Sequence, residues 1–206
     1  MITIIDYGMG NLRSVEKGFQ RIGAETTITS SPADIDDAEA IVLPGVGAFR
    51  DCVNNLSNLS LTEAIIKSIG KGKPYLGICL GLQVLFSESE EFGRCAGLDI
   101  LKGKVIKFKF EDSGEKVPHM GWNNIKIINR PPLLREIPDD SFFYFVHSYY
   151  VVANDRDIIA TTTDYGVTFT SMVWKDNIFA TQFHPEKSQT LGLRVLSAFA
   201  EFAKKA

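Results

Sequence analysis

Over the first half of the chain, runs of consecutive apolar residues alternate with stretches whose apolar positions return every three or four residues. "ITIID" (2–6) is one such run, and Leu12, Val15, Phe19 and Ile22 then recur on one helix face. The β-branched stretch "TTIT" (26–29) and the run "EAIVLPGVG" (39–47), stopped by Pro44 and Gly45, predict two further strands. "LTEAIIKSI" (61–69) reads as helix, "PYLGI" (74–78) as strand and "LGLQVLF" (80–86) as helix. Strands separated by helices imply parallel β-α-β units and a sheet covered on both faces.

From about Gly103 the pattern changes to consecutive strands: "KVIKFKF" (104–110), "NNIKII" (123–128), "SFFYFVHSYYVV" (141–152), "DIIATTT" (157–163), "GVTFTSMVW" (166–174) and "NIFATQF" (177–183). Within "WKDNIF", Asp176 and Asn177 supply hairpin turn chemistry. In "LGLRVLSAFAEFAKK" (191–205), Leu193, Leu196, Phe199, Ala200 and Ala203 form the apolar stripe of a closing helix. No repeat, low-complexity tract or long linker interrupts the chain. The expected class is α/β, one unit with a mostly parallel sheet and a β-rich second half.

Composition narrows the function classes. At 206 residues and 45% apolar, the chain can bury a core, and its net charge of -3 without Lys/Arg clusters leaves no footprint for nucleic acid. No apolar run approaches membrane-spanning length, and "MITIIDYGMGN" lacks the charged start and cleavage site of a secretory signal. Cys52, Cys79 and Cys95 are odd in number and show no C-x-x-C spacing, so neither a disulfide framework nor a zinc site is signalled. The expectation is a soluble protein of the reducing cytosol, without metal or cofactor.

Cys79 stands out by its setting. "GICLG" puts it between a strand and a helix with Gly77 and Gly81 on either side, the thiol version of a nucleophile elbow. A sharp turn there lifts the side chain above the carboxyl edge of the sheet, and the start of a helix beside it favours the thiolate. The ordinary alternative, a core cysteine, is how Cys52 and Cys95 are read.

A cysteine nucleophile needs a base, and the chain has three histidines: His119, His147 and His184. Only His184, in "QFHPEKS", carries its own orienting group, because residues i and i+2 of an extended segment share a side and Pro185 keeps His184 extended. Glu186 can then accept from Nδ1–H while Nε2 faces the thiol. The oxyanion of an acyl transfer would meet the N–H of Leu80 and a donor from the Gly45–Val46–Gly47 loop, whose glycines allow it to switch between donor-in and donor-out states. A dinucleotide site is rejected, since "DYGMGNLRS" has Arg13 where the fingerprint needs glycine.

Taken together, "DYGMGNLRSV", "LPGVGAF", "GICLGLQ", "PHMGWN", "YFVHSYY" and "QFHPEKS" resemble the class I glutamine amidotransferases over essentially the whole chain. "PHMGWN" narrows the resemblance to the glutaminase subunits of histidine biosynthesis. The resemblance implies one flavodoxin-like domain over residues 1–206 and a Cys79–His184–Glu186 triad that releases ammonia from glutamine. It also implies glutamine binding by Gln83 and by the backbone around Ser148 and Tyr149. A separate (β/α)8 cyclase subunit, forming imidazole glycerol phosphate and AICAR in a heterodimer, would receive the ammonia. Met120, Trp122, Tyr144 and Lys187 match positions facing that partner or the ammonia passage, although the aromatics also read as core and Lys187 as a solvated charge. The competing readings are a cysteine hydrolase, a glutaminase for another acceptor and a binding module that kept the fold but lost activity.

Overall fold

The computed structural model describes residues 1–110 and 114–205. The first half builds β1 (Ile2–Ile5), α1 (Leu12–Arg21), β2 (Thr26–Thr29), α2 (Pro32–Asp37), β3 (Ala40–Gly45), α3 (Phe49–Asn58), α4 (Leu61–Gly70), β4 (Tyr75–Cys79) and α5 (Leu80–Gln83). The strands β5 (Phe86–Ser89), β6 (Cys95–Ala96), β7 (Leu101–Lys107), β8 (His119–Asn124) and β9 (Lys126–Ile127) follow. The chain continues through β10 (Phe142–His147), β11 (Tyr149–Ala153), β12 (Ile159–Asp164), β13 (Thr168–Lys175) and β14 (Ile178–Thr181) to α6 (Gln189–Ala203).

The central block runs β2-β1-β3-β4-β14 and is parallel throughout, with Ile2 opposite Thr26, Ile41 opposite Tyr75 and Thr181 opposite Ile78. Ile4, Ile5, Val42, Leu43 and Leu76 are wholly buried because helices cover both faces. Val15 and Phe19 of α1 pack with Val195, Leu196 and Phe199 of α6 on one face, against Ile4, Val42 and Leu76. Ile35, Cys52, Leu56 and Ile65 from α2, α3 and α4 fill the other, against Ile5, Ile41 and Leu43. Beyond β14 the sheet continues through antiparallel β13 and β11 to β7, β5 and β6. Most of the β-rich second half therefore extends the same sheet, and β8 and β10 pair apart from it.

Several boundaries differ from the pattern. The apolar run 141–152 divides at Ser148. Its first part pairs with β8 in a separate two-stranded sheet, while its second part enters the main sheet beside β7. The expected helix over 80–86 stops after one turn, because Phe86–Ser89 peels away to pair with β7. α2 and α3 were not foreseen, although Ser31 accepts from Asp34 N–H and Pro32 occupies the first turn, a normal helix start. The 104–110 strand is shifted to Leu101–Lys107. Residues 123–128 are shared between β8 and β9. No helix among the described residues is long and apolar enough to cross a membrane.

Candidate active site

Cys79 is the last residue of β4, with φ 55° and ψ −102°. That backbone is sparsely populated for residues bearing a Cβ, and it turns the chain sharply into α5. The flanking glycines make the turn possible through space. A Cβ on Gly77 would lie 2.5 Å from the Gly81 carbonyl oxygen, and one on Gly81 only 1.9 Å from that of Leu43. The Tyr75 hydroxyl donates to the same Gly81 carbonyl at 2.8 Å and ties the elbow to its strand. Only one turn of helix follows, so the field of α5 on the sulfur is weaker than a long helix would supply.

His184 and Glu186 form a buried pair, Nδ1 to Oε1 2.8 Å, with both side chains 2% exposed. Their proximity has a different local cause from the one expected. His184 is extended, but Pro185–Lys187 is a 3₁₀ turn, and that turn brings the carboxylate back to the ring. Strand β10 holds the segment in place. Tyr144 accepts from His184 N–H at 2.9 Å and donates to Ser188 Oγ at 3.0 Å, and Ser188 Oγ donates to His184 O at 2.6 Å.

Burial opposes protonation of the ring, but the Cys79 sulfur and the Glu186 carboxylate outweigh it and raise the His184 pKa to about 10. Nε2 is buried, and the Cys79 sulfur is the neighbour that most favours the protonated ring. Catalytic contacts commonly tighten only when substrate arrives. Cys52 is a buried thiol raised to about 12 by burial, and Cys95 sits on the short edge strand β6.

A cavity of about 330 Å³ opens over Cys79, of a size suited to an amino acid. Val46 and Gly47 form part of its wall, with Leu80, Gln83, Ser148 and Tyr149. Gly45 belongs to β3 instead of the loop. It pairs with Cys79 and would collide with Leu80 Cβ and the Tyr7 hydroxyl if it carried a side chain, so it packs beneath the site. Gly47 has φ 96°, a backbone that non-glycine residues avoid. Gln83 is buried, and its Nε2 donates to Tyr149 O at 3.0 Å and to Gln182 Oε1 at 3.1 Å, which leaves Oε1 for a donor on a bound molecule.

The sequence reading missed Glu91, which also lines the cavity and whose Oε2 accepts from Phe49 N–H at 2.6 Å. It lies in the acidic run "SESEEFG", where nothing local separates one carboxylate from its neighbours. Among the described residues, no cluster of His, Cys, Asp and Glu could hold a metal ion.

The remaining expected residues lie together outside the cavity. In the β8–β10 pair, alternate residues turn outward: Met120 and Trp122 are 63% and 46% exposed, and Phe142 is exposed beside them. The Trp122 and Tyr144 rings meet edge to face at 6.2 Å, and Lys187 Nζ stands 5.7 Å from the Tyr144 ring centre. Val146, two residues along the same strand from Tyr144, has its carbonyl 3.9 Å from the Cys79 sulfur. One strand thus joins an exposed apolar patch to the thiol.

A sharp strand–helix elbow bearing a thiol, backed by a buried imidazole–carboxylate pair, fits the family whose sequence model, Glutamine amidotransferase class-I, matches residues 3–201. The chain belongs to that family. It is 53% identical over 205 residues to imidazole glycerol phosphate synthase subunit HisH of Syntrophotalea carbinolica, covering 98% of this chain and 100% of the relative. The subunit of the same name from Geobacter sulfurreducens is 53% identical over 204 residues, covering 97% and 98%. Its particular family is therefore that of the HisH subunits. The solved structure of PurLQS from Thermotoga maritima shares the fold, with TM-score 0.76 at 19% identity over 98% of this chain and 97% of the other.

Proposed function

We propose that this chain is the glutaminase subunit of an imidazole glycerol phosphate synthase, acting as a single amidotransferase domain over residues 1–206 in the cytoplasm. The Cys79 thiolate attacks the side-chain amide carbon of glutamine, and the carbonyl electrons move to oxygen. The N–H of Leu80, first in its helix and so without an intrahelical acceptor, meets that oxyanion together with a donor from the Val46–Gly47 loop. His184, held protonated by Glu186 and the sulfur, gives its proton to the departing ammonia. Water then attacks the thioester and returns a proton to His184, and glutamate leaves. Glu91 and Gln83 Oε1 offer acceptors for the substrate ammonium, with Ser148 and Tyr149 alongside its carboxylate.

The observation that carries the reading is the 2.8 Å His184–Glu186 pair, sealed from solvent behind an elbow thiol that faces a cavity. Ammonia is useful only as the free base, so a partner must take it up before water does. The patch of exposed Met120 and Trp122 with half-buried Tyr144, and Lys187 at its edge, is the surface on which a cyclase subunit docks, in a heterodimer that forms imidazole glycerol phosphate and AICAR in histidine biosynthesis. Partner and ligand would shift the Val46–Gly47 loop toward its donor-in state. Glutamate release measured for the chain alone, and with the cyclase subunit and its nucleotide ligand, tests this. Release confined to the complete mixture and abolished by Cys79→Ala is expected. Equal release without the partner would end the gating proposal, and release by Cys79→Ala would end the triad.

A further inference from the structure

We propose that Gln182 is a further catalytic residue of this site: its side-chain N–H donates to the Cys79 sulfur and stabilises the charge there. The inference rests on the reading of Cys79 as nucleophile.

Gln182 follows β14, the strand beside β4. Thr181 pairs with Ile78, so the next residue along stands beside Cys79. Its side chain is wholly out of solvent, between fully buried Thr181 and Phe183, where an apolar residue would pack without the cost of desolvating an amide. Its Nε2 lies 3.5 Å from the Cys79 sulfur, and its Oε1 accepts from Gln83 Nε2 at 3.1 Å. Both ends of this buried amide are engaged, as buried polar groups normally are, and one of its two partners is the reacting atom.

Which end faces the sulfur follows from Tyr149 O, a carbonyl that accepts from both sides. His147 Nδ1 lies 2.8 Å from Tyr149 O, which can only accept, so Nδ1 carries the proton and Nε2 accepts. His119 Nδ1 therefore donates to that Nε2 at 3.1 Å, and its own Nε2 accepts from Asn123 Nδ2 at 3.3 Å. Asn123 Nδ2 also donates to Asp164 O at 2.9 Å, which fixes it as the nitrogen. At the other end, Tyr149 O accepts from Gln83 Nε2, so Gln83 presents its nitrogen to Gln182. Turning the Gln182 amide over would set two donors against each other at Gln83 and an oxygen against the sulfur. The two histidines on the far side of the Tyr149 carbonyl are kept neutral by burial, at pKa about 4 for His119 and about 3 for His147.

The donor matters most where charge sits on sulfur. On attack, the S–C bond forms and the charge passes to the carbonyl oxygen. In thioester hydrolysis the C–S bond breaks, its electron pair returns to sulfur and the water proton goes to His184. The Gln182 N–H is already aimed at the departing sulfur, so it assists that step without rearrangement.

The test compares wild type with Gln182→Met and Gln182→Glu, each in complex with the cyclase subunit and its ligand. Methionine keeps the volume and removes the donor, whereas glutamate keeps the shape and sets a carboxylate oxygen by the sulfur. A lost hydrogen bond to a charged group predicts a kcat lower by about 10- to 100-fold for Gln182→Met, with KM for glutamine changed far less. Alkylation of Cys79 by iodoacetamide should slow in parallel, and Gln182→Glu should lose more than Gln182→Met. A purely structural role would lower the unfolding temperature and leave kcat per folded site unchanged. Folded variants with wild-type kcat and alkylation rate overturn the proposal, and if Gln182→Met does not fold, Gln182→Glu decides on the same criteria. Wild-type turnover separates the two claims. If wild type releases no glutamate, the glutaminase reading falls and this inference with it, whereas active wild type with equally active variants removes only the role of Gln182.

Discussion

Replacing Glu186 with glutamine removes one charge from the site and leaves its shape almost intact. The carboxylate lies 2.8 Å from His184 Nδ1 with both side chains 2% exposed. At an effective dielectric constant of about 20, unit charges at that separation attract by about 6 kcal/mol. That attraction, with the sulfur, is what overrides the burial cost and holds the ring protonated. The amide has two ways to sit, and both fail. With its oxygen on Nδ1, it leaves the imidazolium without its counter-charge and places an NH₂ where Glu186 Oε2 already has no partner. With its nitrogen on Nδ1, it forces the ring proton to Nε2, the tautomer that cannot take a proton from the attacking water.

Loss of the orienting carboxylate is worth about 10³- to 10⁴-fold in turnover, or about 4 to 5.5 kcal/mol of barrier. The assay is steady-state glutamate release in the complex, paired with a ¹⁵N titration of the His184 ring. The His184 pKa should fall from about 10, because burial then meets less opposition. Turnover within tenfold of wild type, or a ring that still titrates near 10, would refute the reasoning.

Three other perturbations probe different links. Gly81→Ala would set a Cβ 1.9 Å from the Leu43 carbonyl, so β3 and the elbow must part by more than 1 Å to reach the 3.0 Å below which real Cβ contacts are essentially not seen. It should cost about 3 kcal/mol in urea unfolding and slow Cys79 alkylation, whereas Gly70→Ala, with nothing within 4 Å, should change stability by less than about 1 kcal/mol. Equal stability of the two variants would count against the elbow geometry. Glu91→Gln keeps an acceptor for Phe49 N–H but loses the charge offered to the substrate ammonium, so KM should rise about 10- to 100-fold with kcat nearly unchanged. An unaltered KM would remove Glu91 from the binding site.

Acid should destabilise the chain through His119 and His147, whose folded pKa values lie below the unfolded value near 6.5. Their contribution is complete above pH 6.5 and is lost as pH falls toward 4 and then 3, because the unfolded chain takes up protons first. Each costs about 2 kcal/mol by pH 5. His184 has the opposite sign, with its contribution complete below pH 6.5 and lost as pH rises toward 10. Urea midpoints that stay flat from pH 7 to 5 would contradict the neutral histidine pair.

The legibility of the fold followed burial on both faces. β1, β3 and β4 are covered by helices above and below, so their apolar runs were unbroken and their bounds came out well. The run 141–152 is almost continuously apolar and aromatic on both sides of Ser148, and only the tertiary competition between β8 and β7 for its two halves divides it. α5 ended early for the same reason, since pairing of Phe86–Ser89 with β7 outweighs one more turn of helix. In the candidate site, the elbow at Cys79 was legible because glycine spacing imposes local geometry, and the His184–Glu186 pair was expected side by side but on an extended segment, where a 3₁₀ turn makes the contact instead. Gln182 and Glu91 were not legible. A buried glutamine and one acid in an acidic loop acquire meaning only when β14 meets β4, or when the loop reaches the cavity.

The central claim is that Cys79 is the atom that meets glutamine. Titrating the chain, in complex with the cyclase subunit and its ligand, with a chloroketone analogue of glutamine tests it most directly, with peptide mass spectrometry locating the adduct. The account predicts one equivalent bound at Cys79, loss of glutamate release in step with labelling, and protection by glutamine. Labelling at Cys52 or Cys95 in place of Cys79, or labelled protein that still releases glutamate, would contradict it.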